Sequence, residues 1–216
     1  MINRHAFAAI IKKGKDEAFR QKLGQQWALI TEFLDNNGMK NFSLWSCDEY
    51  VFGYYETQEA DSLGDEAKES ARALYAGFDD CLDWLSTPDK EMRLMYHCFG
   101  VVRENKELIR HRMFMTKLKP GCAEEYKARH DKLIESRNGA VVEGPDSNFS
   151  IWSDGNYIFG YDEIDTSMEK PETEEEHQAT VEWETRQLGI MDWITNDCDW
   201  LTGQVHSASR RIAWHG

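Results

Sequence analysis

The sequence lacks any hydrophobic run that approaches the roughly 20 residues needed for a membrane-spanning helix. It also lacks a long basic tract, and its formal net charge of −14 would repel the phosphates of a nucleic acid. Its first residues show no signal-peptide cleavage pattern. We therefore expect neither a membrane nor a nucleic acid as partner, and we expect a soluble, cytoplasmic protein.

Cysteine is scarce and irregularly spaced. The count of five is odd, and no two cysteines have the C-x-x-C spacing of a zinc site or a redox pair. The cysteines are Cys47, Cys81, Cys98, Cys122 and Cys198. We expect reduced, mostly buried thiols without a disulfide framework.

Motifs of several enzyme classes are also missing. The chain has no G-x-S-x-G, no G-x-x-x-x-G-K-[ST] and no G-x-G-x-x-G after a strand. Their absence argues against α/β-hydrolases, P-loop enzymes and dinucleotide-dependent enzymes. The histidines show neither H-x-x-x-H nor H-E-x-x-H spacing, so the sequence gives no support for a metal site.

What the sequence does contain is an internal repeat. The segment NFSLWSCDEYVFGYYE, residues 41–56, recurs as NFSIWSDGNYIFGYDE, residues 148–163, with ten of sixteen positions identical. The offset of 107 residues (148 minus 41) also aligns residues 6–23 with residues 113–130. The pattern of each half therefore predicts a strand, a turn, a charged helix and a β-hairpin.

The order of these patterns predicts the fold. Each half reads β-α-β-β-α-β, which is typical of a ferredoxin-like α+β sandwich with an antiparallel sheet and helices on one face. The other sheet face needs a cover, so we expect residues 1–103 and 104–216 to form an intrachain pseudo-dimeric α/β barrel, with further homodimerisation left open. Two independent domains are the alternative, which the lack of a Gly/Ser/Pro-rich linker disfavours.

The ends of the two halves align at a different offset. GFDDCLDWL, residues 77–85, resembles the end of IMDWITNDCDWL at an offset of 116 residues (201 minus 85). This alignment sets Gly77 opposite Trp193 and predicts an insertion, which we assign to the acidic stretch 165–177 as an exposed loop or lid edge. Segments near Met95 and at the C-terminus are expected to supply the last strand of each half.

One helix carries an ionisable pair that its counterpart lacks. Tyr126 and His130 are four residues apart, so both project from one helical face. The matching positions in the first half are Phe19 and Leu23. Because apolar residues suffice there, the fold does not require the pair, although a surface or boundary pair is the alternative to a functional one.

The second half resembles the L-rhamnose mutarotase family. The resemblance rests on Pro120-Gly121, Glu124-Glu125-Tyr126 with His130, Asn148-Phe149-Ser150-Ile151-Trp152, and Trp193 in an expected late helix. It implies small ferredoxin-like chains that form homodimeric barrels, which the two halves of this chain would reproduce covalently. It also implies a monosaccharide as partner and no cofactor.

The resemblance implies a role for each matching residue. His130 corresponds to the acid/base residue and Tyr126 to its active-site neighbour. Phe149, Trp193 and Trp152 are the candidate sugar-binding residues. Phe149 stands where the family has a tyrosine, and Ile194 where a second tryptophan is expected, so a sugar other than L-rhamnose stays open.

The chemistry needs few groups. In mutarotation the anomeric hydroxyl loses a proton while the ring oxygen gains one, and a histidine with a pKa of about 6.5 can serve both directions. We predict interconversion of the α and β anomers of a pyranose, such as a 6-deoxy sugar, with a dependence on pH near neutrality. The alternatives are a non-catalytic binding or structural module and an oxygenase-like α/β-barrel enzyme.

Overall fold

A computed structural model describes residues 2–58, 64–103, 105–106, 109–141, 143–195 and 209–216, and for residues 193–195 it describes the backbone alone. The first half contains β1 (Ile2–Ile11), α1 (Asp16–Asn36), β2 (Lys40–Cys47), β3 (Tyr50–Gln58), α2 (Asp65–Ala76), β4 (Leu82–Trp84) and β5 (Arg93–Cys98). The second half contains β6 (Ile109–Leu118), α3 (Ala123–Ser136), β7 (Asp146–Asp154), β8 (Tyr157–Asp165), α4 (Glu174–Gln187), β9 (Met191–Thr195) and β10 (Arg210–His215). Both halves thus follow the order β-α-β-β-α-β-β.

The chain forms two compact units, and within the described residues each unit has one five-stranded sheet and two helices. The first unit comprises Met1–Met92 and Arg210–Gly216, and the second comprises Arg93–Ser209. The sheet orders are β10-β2-β3-β1-β4 and β5-β7-β8-β6-β9, with antiparallel pairing throughout. The predicted α+β class and ferredoxin-like order are confirmed, whereas the barrel between the two sheets stays a prediction.

One of the two outer strands of each sheet comes from the opposite half of the sequence. β10, at the C-terminus, pairs with β2 of the first unit. β5, from the end of the first half, pairs with β7 of the second unit. The compact units therefore do not coincide with the sequence division at residues 1–103 and 104–216. Each exchanged strand covers a sheet edge that would otherwise present unpaired backbone groups.

The helices pack on one face of each sheet. In the first unit, Phe19 and Leu23 of α1 share a buried cluster with Phe42 and Leu44 of β2. In the second unit, Tyr126 of α3 shares one with Ile151 of β7. Because side chains alternate along a strand, the residues between these positions lie on the opposite sheet face.

A glycine in each hairpin lets a phenylalanine lie flat on the sheet. A Cβ atom at Gly53 would stand 2.0 Å from Cζ of Phe7, and one at Gly160 would stand 1.9 Å from Cε1 of Phe114. A side chain at either position would therefore displace the ring. The Phe-Gly-Tyr sequence common to the two halves follows from this contact.

Strand pairing corrects the alignment of the two chain ends. Trp84 pairs with Ala9, and Trp193 pairs with Thr116, which lies 107 residues after Ala9. Trp84 is therefore the counterpart of Trp193, so the predicted equivalence with Gly77 is wrong. The predicted late helix is also wrong, because Trp193 lies in β9.

The length difference between the halves lies elsewhere than predicted. The offset is 109 residues at β4 and β9 (193 minus 84) and 117 residues at the last strands, where Tyr96 and Ala213 occupy matching register (213 minus 96). Most of the extra residues therefore lie between β9 and β10. The acidic stretch is an exposed loop only as far as Thr173, which caps α4 through a reciprocal pair of hydrogen bonds with Glu176.

Cys47 and Cys81 are buried free thiols, and Cys98 and Cys122 are partly buried ones, while Cys198 lies outside the described residues. In the described part of the chain, no helix combines the length and the apolar character of a membrane span.

Candidate active site

Helix α3 carries Tyr126 and His130 into the interior of the second unit. Tyr126 is 3% exposed and His130 is 5% exposed. Their ring centroids are 4.3 Å apart. A surface or boundary pair is therefore excluded, and the imidazole lies in an enclosed, largely apolar environment.

The hydrogen bond of His130 defines which ring nitrogen can act as a base. Nδ1 lies 2.9 Å from the backbone oxygen of Tyr126. Because a carbonyl oxygen only accepts, Nδ1 carries the proton, and the lone pair of the neutral ring is on Nε2. Burial lowers the pKa of His130 to about 4, although the bond to Tyr126 opposes this shift. The predicted titration near neutrality does not hold for this buried imidazole.

Aromatic rings from two further elements surround His130. Tyr96 of β5 lies 5.1 Å from it between ring centroids, and Trp183 of α4 lies 5.2 Å away with its plane nearly perpendicular. Phe149 of β7 packs edge-on against Tyr96 at 5.5 Å. The predicted residue Phe149 thus joins the cluster through Tyr96.

Sequence reasoning missed Tyr96 and Trp183. Tyr96 belongs to the first half of the sequence and reaches this cluster only because β5 is exchanged into the second sheet. Trp183 lies in a strongly charged helix whose sequence gives no sign of which face is buried. The tryptophan itself was the one available signal, because tryptophan side chains are largely buried on average.

The other two predicted aromatic residues are placed differently. Phe149 and Ile151 pack in the helix-side core, so Trp152 lies on the opposite face of β7, where its Nε1 donates to Ser150 Oγ at 3.0 Å. Trp152 therefore does not face His130. Trp193 pairs with Thr116 through its backbone, and its side chain lies outside the described set.

A buried arginine and a buried aspartate face each other on the helix-side face of the same sheet. Arg112 of β6 and Asp162 of β8 are directly opposite each other, with Nε and Oδ2 3.8 Å apart. Burial raises the pKa of Asp162 to about 8, although the charge of Arg112 opposes this shift. Within the described part of the chain, Oδ1 of Asp162 has no hydrogen-bond partner. Its free acceptor is suited to a polar ligand.

The first unit carries other residues at the positions that correspond to this site. The first unit contains a cavity of about 130 Å³ between its helices and its sheet, and this cavity is partly open to solvent. The lining includes His5, Phe19, Leu23, Phe42, Tyr55 and Trp84. Their counterparts in the second unit are Arg112, Tyr126, His130, Phe149, Asp162 and Trp193. Among these positions, the first unit has the imidazole of His5 and the phenol of Tyr55, whereas the second unit has an imidazole, a phenol, a guanidinium and a carboxyl group.

The second unit therefore offers acid/base and hydrogen-bonding groups within an aromatic enclosure. Burial raises the pKa values of Tyr126 and Tyr96, so both hydroxyl groups stay protonated and can donate hydrogen bonds. Among the described residues, no three His, Cys, Asp or Glu side chains are placed to share a metal ion.

Comparison with known proteins gives one family match. Residues 111–209 match the model of the L-rhamnose mutarotase family. No curated protein matches the chain. Among solved structures, a candidate monooxygenase from Fusobacterium nucleatum is similar at 8% identity, over 88% of this chain and 87% of that chain, with a TM-score of 0.44. An anthrone oxidase-like protein is similar at 12% identity, over 98% and 96%, with a TM-score of 0.47. Neither likeness bears on activity.

Proposed function

Because residues 111–209 match the model of the L-rhamnose mutarotase family, we propose that the second unit interconverts the α and β anomers of a pyranose. The observation that carries the proposal is the state of His130: it is buried and neutral, and its Nδ1–H is fixed to a backbone oxygen. That arrangement leaves Nε2 as the base that mutarotation requires.

The proposed reaction is a proton transfer between two sugar oxygens. Nε2 of His130 removes the proton from the anomeric hydroxyl while the bond between C1 and the ring oxygen breaks. The imidazolium then gives this proton to the ring oxygen, which yields the open-chain aldehyde. After rotation about the C1–C2 bond, the same steps in reverse close the ring on the other carbonyl face. His130 ends neutral, and the reaction neither gains nor loses a proton.

The tyrosines have a different role in this proposal. A phenol with a raised pKa is a poor base, so Tyr126 and Tyr96 are assigned to hydrogen bonds with sugar oxygens. Their enclosure also removes water from around the imidazole, which strengthens such bonds.

The polar and apolar groups together suggest the type of sugar. Phe149 and Trp183 would offer ring faces to the C–H groups and the methyl group of a 6-deoxy sugar such as L-rhamnose. Arg112 and Asp162 would bind neighbouring sugar hydroxyls as donor and acceptor. Asp162 supports this assignment because its Oδ1 is buried without a hydrogen-bond partner among the described residues.

A non-catalytic binding module is the second candidate. The first unit favours it, because Phe19 and Leu23 are buried in the positions of Tyr126 and His130. The scaffold therefore persists without a proton-transfer group. An oxygenase-like activity, the other alternative, has no specific contact in its favour.

Saturation-transfer NMR tests the proposal directly. Anomer exchange would be measured for L-rhamnose and a panel of other pyranoses, with wild-type protein, His130→Asn and the matched control Leu23→Met. We expect accelerated exchange that falls by roughly 10²-fold or more in His130→Asn and is unchanged in Leu23→Met. If the protein accelerates the anomer exchange of no pyranose, the mutarotase proposal is wrong. The non-catalytic binding module is then the better hypothesis.

A further inference from the structure

The cavity of the first unit has no part in the proposed reaction. Its volume is about 130 Å³, and its lining comes entirely from the first unit. Protein interiors rarely leave voids larger than one water molecule, because the lining side chains lose dispersion contacts across an empty space. An occupant of matching shape would restore those contacts.

The walls of the cavity are aromatic. Phe7 lies 6.2 Å from Phe42, 5.8 Å from Tyr75 and 6.3 Å from Trp84, measured between ring centroids. Tyr75 and Trp84 approach each other to 4.2 Å. Ring faces and edges at these separations can accept a further flat ring in stacked or edge-on contact.

One end of the cavity is polar. His5 bonds through Nε2 to Oγ1 of Thr57 at 3.0 Å, and its Nδ1 lies 3.7 Å from Oε1 of Glu91. Tyr55 stacks on His5 with 4.8 Å between ring centroids. The Glu91 side chain is 71% exposed, so this end is close to the surface.

Two hydroxyl groups near this end lack partners. Among the described residues, neither Tyr55 nor Tyr75 makes a hydrogen bond through its hydroxyl group. Burial raises the pKa of both phenols, and the charge of Glu91 adds to each shift. Tyr55, Tyr75 and Glu91 all line the cavity, so their hydroxyl groups and carboxylate offer donors and an acceptor to a ligand.

We propose that the first unit binds a small phenol, one aromatic ring carrying a hydroxyl group, in this cavity. The ring would fill the aromatic part, and its hydroxyl would accept from Tyr75 and donate to Glu91. A cavity of about 150 Å³ lined by apolar side chains is known to hold benzene, so the size is suitable. A monosaccharide is a poor fit, because most of its hydroxyls would face apolar walls without partners.

Calorimetric titration of the full chain with phenol tests this site. We expect one saturable site per chain, with a Kd on the order of 1 mM or tighter. Ala71 lines the cavity and is 6% exposed, so Ala71→Leu should fill the space and abolish binding. Ala73→Leu is the matched control on the exposed face of the same helix and should bind phenol as wild type does.

A second variant tests the polar end without altering the cavity volume. Tyr75→Phe should weaken phenol binding about fivefold, which is the effect of one net hydrogen bond, and leave toluene binding unchanged. The proposal is overturned if phenol shows no saturable binding, if Ala71→Leu folds and binds phenol normally, or if Tyr75→Phe affects phenol and toluene equally.

The phenol site and the proposed mutarotase site can be tested separately. His130→Asn, in the second unit, should bind phenol with unchanged affinity. Ala71→Leu should retain whatever anomer exchange the wild type shows. Loss of phenol binding in His130→Asn would assign the ligand to the second unit and contradict the proposal.

Discussion

At the scale of single residues, two opposing contacts set the state of His130. Burial among aromatic rings lowers its pKa to about 4, and the bond from Nδ1 to the Tyr126 carbonyl opposes that shift. The histidine is therefore neutral over the whole physiological range. Because Nε2 of His130 is unprotonated throughout this range, it can accept a proton without a pKa near 7.

The lowered pKa of His130 predicts how stability depends on pH. Between pH 6.5 and about 4 the unfolded chain binds a proton that the folded chain excludes, so folded stability falls as the pH is lowered through this range. The loss amounts to about 3 kcal/mol. Urea unfolding of wild type and His130→Asn at pH 7 and pH 4.5 measures it. Equal losses in the two proteins would contradict the assignment.

The raised pKa of Asp162 predicts how Asp162→Asn changes stability and KM. Its raised pKa of about 8 means that folding opposes its ionisation, so Asp162→Asn should stabilise the protein more at pH 8 than at pH 5, by up to about 4 kcal/mol. Above pH 8, where Asp162 is ionised, the same substitution should raise KM for the pyranose about tenfold with kcat little changed, because it removes a charged acceptor. A higher KM in a more stable protein cannot come from unfolding. An unchanged KM would remove Asp162 from the sugar site.

Some of these residues could be predicted from sequence and others could not. Tyr126 and His130 were accessible because helical spacing and the contrast with Phe19 and Leu23 are local patterns. Tyr96 was not, because its place depends on pairing between strands that are distant in sequence. The burial that shifts the pKa of His130 likewise depends on tertiary packing, so it could not be predicted from the local sequence.

At the scale of elements, the hairpins and first helices follow directly from the sequence, whereas the late strands do not. The alternating patterns of β2–β3 and β7–β8 fix those hairpins. The similar endings DCLDWL and DCDWL favoured a false register, which strand pairing corrects to Trp84 and Trp193. A short strand carries too few residues for sequence similarity to define its register.

Gly53 and Gly160 give a matched pair of predictions for the sheets. Alanine at either position would place a Cβ atom inside the ring of Phe7 or Phe114, so each variant should lose about 1–3 kcal/mol of stability. Gly160→Ala should also slow anomer exchange, because Phe114 contacts Phe149. Gly53→Ala should instead weaken phenol binding. Thermal unfolding, anomer exchange and calorimetry distinguish the two, and the opposite pattern would contradict the division of roles.

At the scale of the whole molecule, strand exchange ties the folding of each unit to both ends of the chain. The first sheet needs β10 from the C-terminus, and the second sheet needs β5 from the first half of the sequence. The predicted barrel would bury the remaining sheet faces as well. The two halves are therefore expected to fold together.

Separate expression of the halves tests this dependence. Residues 1–103 alone would lack β10, leave β5 unpaired and expose an apolar sheet face, so we expect aggregation or non-cooperative unfolding. Co-expression with residues 104–216 should restore a soluble complex with cooperative unfolding. A well-folded monomer of residues 1–103 would contradict mutual completion.

The functional asymmetry between the units is also a property of the whole chain. One unit carries a buried histidine and the neighbouring Arg112 and Asp162, and the other carries an aromatic cavity at the equivalent positions. Calorimetric titration of the full chain with the pyranose that shows accelerated exchange measures the consequence directly. Above pH 8, where Asp162 is ionised, we predict one sugar per chain, with binding retained in Leu23→Met and strongly weakened in Asp162→Asn. Two equivalent sugar sites per chain, or a single site unaffected by Asp162→Asn, would contradict the assignment of sugar chemistry to the second unit.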